Sequence, residues 1–211
     1  VERLDRGWLE QEFRHSVIAF GGGVLLSAVS LVLVPDGVKQ LSLPWVIAAF
    51  LSGGLSFILL DLLLSKLKNS MAQLAAMLSD FIPEAIALGA GFATGDSTGM
   101  LLAILISRQN LPEGFNAYRE LHAGGSLPGK TILTAFLLLV PLGPIAGEAG
   151  YLWLSGYPKV VAFMMLYAAS GILYMTFQDI APQAQLKNGF APALGAVLGF
   201  LLGLVGQQLV Q

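Results

Sequence analysis

The sequence has no cysteine, two histidines and few charges, with 11 basic and 13 acidic side chains in 211 residues. Each scarcity removes a class of chemistry. Without cysteine there are no disulfides, thiolate metal sites or cysteine nucleophiles. His15 and His122 lie in polar stretches outside the apolar runs, which leaves no histidine for chemistry deep in an apolar environment. A net charge of −2 with no basic patch excludes nucleic acid as a partner. An average soluble domain carries roughly 25% charged residues. At 11% charged and 55% apolar, with a mean hydropathy of +0.75, this chain cannot cover the surface of a soluble fold. The expected surroundings are therefore a lipid bilayer, and the expected fold class is an all-α polytopic membrane protein.

A spanning helix needs roughly 20 mostly apolar residues. Seven stretches meet that length, at about 16–34, 44–64, 71–94, 98–118, 131–154, 158–180 and 190–209. Turn chemistry marks the joints: Pro35-Asp36-Gly37, Thr94-Gly95-Asp96, Gly124-Gly125-Ser126, Gly156-Tyr157-Pro158 and Lys187-Asn188-Gly189. The joints are short, so residues 1–211 read as a single transmembrane domain. The first fifteen residues hold Glu2, Arg3, Asp5, Arg6, Glu10, Glu12 and Arg14 rather than an apolar core, and no cleavable signal peptide is expected.

Alternate sides of such a bundle carry Arg3, Arg6, Arg14, Lys66, Lys68, Arg119, Lys130 and Lys187 against Lys39 and Lys159. The positive-inside rule then puts the N-terminus in the cytoplasm and the C-terminus outside, in a plasma (inner) membrane. Gly195, Gly199 and Gly203 repeat a small residue every fourth position of the last span. Two readings stay open for that stripe: the seam of a homodimer, or close packing inside one bundle.

Ionisable residues inside a membrane cost several kcal/mol each and mark a pathway or a partner. Asp61, Asp80, Glu84, Arg108, Glu113, Glu148 and Asp179 fall within the spans. Asp61 lies close to Lys66 and reads as interfacial. Asp80 and Glu84 are four apart with Pro83 between them; Gln109 and Glu113 are four apart with Pro112 between and Asn110 alongside. Residues four apart share a helix face. Each proline removes a backbone hydrogen bond, and such breaks are tolerated where they line a cavity. Two antiparallel helices kinked in this way can aim carboxylate, amide and carbonyl oxygens at one point. An oxygen-only cluster suits a hard or borderline divalent cation. The competing reading pairs Arg108 with these carboxylates as a salt bridge and has no metal.

At these motifs the chain resembles the ZIP family of divalent metal-ion transporters, whose fourth and fifth membrane helices carry His-Asn-x-Pro-Glu-Gly and a matching His/Gln-Asp/Glu-x-Pro-Glu/His. Ile106 to Gly114 is the closer match, and 20–37 and 171–182 look like the family's second and seventh helices. The resemblance implies a ZIP-like bundle that lacks the first of eight helices. It implies a metal site from Asp80, Glu84, Gln109, Asn110 and Glu113, with Phe81 where the family has asparagine and a neighbouring second site eroded. Proline alignment sets Gly143, before Pro144, at the sixth-helix glutamate position. Glu148 lies more than a turn beyond, as an outer ligand, an access-path group or a partner of Arg108. Asp179 matches an acidic position of the seventh helix, serving ion exit or solvated at the interface.

The resemblance implies transport of a divalent cation (Zn, Fe or Mn) toward the cytoplasm, with that cation as ligand and no cofactor. Loss of histidine tilts preference toward the harder ions. The alternative is a non-transporting or regulatory member whose site Arg108 neutralises. An intramembrane metal hydrolase fits poorly, because such sites hold metal with histidine; no enzyme is expected.

Overall fold

A computed structural model describes residues 6–64, 81, 88–89, 92, 97–123, 128–186 and 189–210. Among them every regular element is helical. The helices are α1 (Arg6–Ala28), α2 (Val34–Gln40), α3 (Leu43–Leu64), α4 (Ser97–Ala123), α5 (Gly129–Leu139), α6 (Leu142–Leu154), α7 (Pro158–Met175), α8 (Ala181–Ala184) and α9 (Ala191–Val210). Among the described residues, four stretches are long and apolar enough to cross a membrane: Gln11–Gln40, Leu43–Leu63, Pro158–Ala184 and Ala191–Leu209. Gly99–Arg108 and Gly129–Leu138 are shorter apolar helices. The expected span 71–94 lies outside the described residues except at Phe81, Leu88, Gly89 and Phe92.

Two boundaries differ from the sequence reading, each because of proline. Pro35-Asp36-Gly37 does not end the first span. A five-residue π-helical turn, Val29–Leu33, joins α1 to α2, and the helix runs on to Gln40. The second π turn, Thr176–Ile180, joins α7 to α8 immediately before Pro182. In each, a backbone N–H skips to the carbonyl five residues back, Val34 to Val29 and Ala181 to Thr176. A proline ring clashes with the carbonyl four residues earlier, and the wider turn carries the helix past it. Leu31, the residue four before Pro35, accepts a hydrogen bond at 3.4 Å from Gln207 Nε2 of α9. The expected single span 131–154 is two helices, α5 and α6, meeting at Val140-Pro141. Pro141 has no N–H to give Leu137, and Pro144 has none to give Val140, so the ladder is interrupted there.

The core lies where the first long helix meets α4 and α7. Val24, Val32 and Leu33 pack there with Leu101, Leu105, Val161 and Ala169. The first and third long helices run antiparallel, with Gly22 beside Ile180 and Gly37 beside Leu166. α9 lies on α1 and α3 on α7. The α1–α9 contact is where the glycine stripe goes: Gly195 faces the Ser16 carbonyl, Gly199 the Phe20 carbonyl and Gly203 the Ser27 side chain. The stripe packs within the chain, as the bundle reading has it.

Outward, Leu51, Leu55, Leu59 and Leu62 of α3 and Val197, Leu201 and Val205 of α9 are exposed. Apolar faces this continuous belong against lipid. Hydroxyls in the helices bond inward to their own backbone, as Ser27 does to the Val24 carbonyl at 2.6 Å and Thr176 to the Ile172 carbonyl at 2.7 Å. Each of these donors then has a partner in hydrocarbon.

Candidate metal-ion site

On α4, Ala103, Ile106, Ser107 and Asn110 recur at helical spacing and form one wall of a cavity of about 490 Å³. On α6, Pro144, Glu148 and Tyr151 form a second wall. Phe81, Leu88, Gly89 and Phe92, from the region of the third expected span, close a third. Phe81, next in sequence to Asp80, and Asn110, next to Gln109, thus line one space.

The described polar groups on these walls are all oxygen donors or amides. Glu148 brings a carboxylate, Asn110 a half-buried amide and Tyr151 a phenol. Ser107 donates its hydroxyl to the Ala103 carbonyl at 2.7 Å, which leaves its oxygen lone pairs as acceptors. Such a set offers hard oxygen ligands to a cation. Asp80 and Glu84 lie outside the described residues. Gln109 and Glu113 are helical positions of α4 whose side chains also lie outside them. Among the described residues no three histidine, cysteine or acidic side chains gather as a metal cluster.

The sequence reading set Glu148 more than a turn from the family's glutamate position and left its role open. It lines the cavity, on the helix that starts after the break at Val140-Pro141. Arg108 does not line the cavity. It is exposed on α4, and among the described residues it forms no ion pair with Glu148. Ser107 and Tyr151 were missed as wall residues. Ser107 stands three before Asn110 and Tyr151 three after Glu148, so helical spacing was the available signal.

Asp61 and Asp179 stand apart from the cavity. Asp61 on α3 is half-buried rather than solvated and accepts a hydrogen bond from Tyr174 Oη on α7 at 3.0 Å. Asp179 sits exposed on the second π turn.

A protein of Arabidopsis thaliana bearing the name "Putative zinc transporter" is 25% identical over 177 residues, covering 77% of this chain and 28% of the relative. The chain thus spans little more than a quarter of the length of the curated relative it matches. No protein-family model matches the chain.

Proposed function

We propose that this chain is the membrane domain of a ZIP-type transporter that moves a divalent cation toward the cytoplasm. The observation that carries the proposal is the cavity, in which Asn110 of one Pro-Glu motif and Phe81 beside the other line one space with Glu148. Similarity to a protein named for zinc transport supports the same reading. In it, seven spans form the bundle, Glu84 and Glu113 bridge the ion, Asp80, Gln109 and Asn110 complete its shell, and Glu148 attracts the ion on its path. Breaks at Pro83 and Pro112 supply backbone carbonyls, in the manner of discontinuous helices at transporter sites. Zinc, iron and manganese are the candidate cargo, with an oxygen shell favouring the harder ions.

The neutralised, non-transporting alternative gains nothing from Glu148, which Arg108 does not pair. The test is uptake of radiolabelled zinc and manganese into proteoliposomes. Glu113→Ala is expected to abolish uptake; uptake at the unsubstituted rate would remove Glu113 from the site.

A further inference from the structure

A second cleft, of about 580 Å³, lies where α2 ends and α3 and α7 begin. Its walls include Gln40, Ser42, Trp45, Lys159 and Phe163. Trp45 meets Phe163 edge to face, with ring centroids 6.4 Å apart and planes at 71°. Trp45 is nonetheless 61% exposed, so much of the indole is left facing outward. Both apolar spans that border the cleft, Leu43–Leu63 and Pro158–Ala184, start at this level. That fixes the depth as the membrane–water interface, where tryptophan and lysine anchor a protein.

The charges decide what fits. Lys39 and Lys159 are the two cations that the seven-span reading of the sequence expects on this side, against eight on the other. Lys39 is held by Asp36 at 2.8 Å. Lys159 is exposed and makes no ion pair among the described residues. The cleft therefore presents an ammonium, an amide and a hydroxyl at its polar rim and two aromatic rings on its apolar wall. From this we infer that it binds an anionic phospholipid of that leaflet, with Lys159 on the headgroup phosphate and an acyl chain against Trp45 and Phe163. An ammonium near a lipid surface attracts anionic headgroups, while the aromatic wall demands a chain that a soluble phosphate lacks. A zwitterionic lipid carries its own cation and gains less from Lys159.

The test is thermal unfolding of the full chain in neutral detergent. The probes are phosphatidylglycerol, phosphatidylcholine with the same acyl chains, and glycerol phosphate. Phosphatidylglycerol is expected to raise the Tm by about 3 °C through binding to the folded state. The rise should persist in Lys159→Arg and in Lys130→Ala, a change at an exposed lysine outside the cleft. Most of it should be lost in Lys159→Ala and Trp45→Ala, each compared with its own Tm without lipid. An equal rise with phosphatidylcholine, or a full rise in Lys159→Ala, overturns the proposal. A full rise with glycerol phosphate alone also overturns it, by assigning the cleft to a soluble anion.

Discussion

Asp61 is a carboxylate on an apolar helix, and its partner lies 113 residues away in sequence. Tyr174 supplies that partner from α7, so the pair fastens α3 to its neighbour. Removing one member of a buried hydrogen bond leaves the other unsatisfied, at about 1–3 kcal/mol. Asp61 is only half-buried, which places Tyr174→Phe near the lower bound. The expected effect is a fall of about 2–4 °C in the Tm of the detergent-solubilised protein. A Tm equal to that of the unsubstituted protein would show that the hydrogen bond does not stabilise the fold. Arg108 gives the opposite prediction. It is exposed and forms no ion pair with Glu148 among the described residues, so Arg108→Ala should change stability by no more than about 0.5 kcal/mol. A larger loss, read by the same unfolding assay, would favour the salt-bridge reading of the site.

The elements are held at distances that their smallest residues set. Along the α1–α9 seam, a Cβ added at Gly199 would meet the Phe20 carbonyl, and one at Gly195 the Ser16 carbonyl. These are backbone atoms and cannot turn aside as a side-chain tip can. Gly199→Val is therefore expected to cost about 2 kcal/mol or more by forcing the helices apart. Gly114 on α4 is the contrast, since a Cβ there meets none of the described residues within 4 Å. Gly114→Ala should gain up to about 1 kcal/mol from helix propensity alone. Thermal unfolding of the two variants side by side checks both signs. The π turns belong to the same scale. They let two long helices pass Pro35 and Pro182 without ending, which keeps the antiparallel contact between 22 and 180 and between 37 and 166 in register.

For the whole molecule, the consequence is a lipid-facing bundle with a mainly apolar cavity whose walls carry Ser107, Asn110, Glu148 and Tyr151. A ligand that binds only the folded state stabilises it by about 2.7 kcal/mol at a hundredfold excess over Kd. Zinc, manganese or iron(II) should therefore raise the Tm, and the Glu84→Ala, Glu113→Ala double variant should lose the rise. Equal shifts in the two proteins would place any bound metal elsewhere. Glu148→Gln extends the test, because its carboxylate lines the same cavity without belonging to either motif. The expected result is weaker metal stabilisation with the unliganded Tm little changed.

The membrane setting was legible in composition alone, because 24 charged residues cannot clothe a soluble fold of 211 residues. Helix positions at 44–64 and 190–209 were legible for the same reason: an apolar run long enough to cross hydrocarbon must be helical there to satisfy its backbone. The cavity's polar positions at Asn110 and Glu148 were visible as amide and carboxylate in apolar runs. That they line one cavity was not, since nothing local in the sequence links residue 110 to residue 148. The partner of Asp61 was likewise out of reach, because nothing local links residue 61 to residue 174. The turn signal at Pro35-Asp36-Gly37 misled, because a π turn admits the Pro35 ring and the helix runs on to Gln40. The glycine stripe announced a close approach, and only the tertiary structure chose its partner, by setting α1 against α9 so that small residues meet carbonyls.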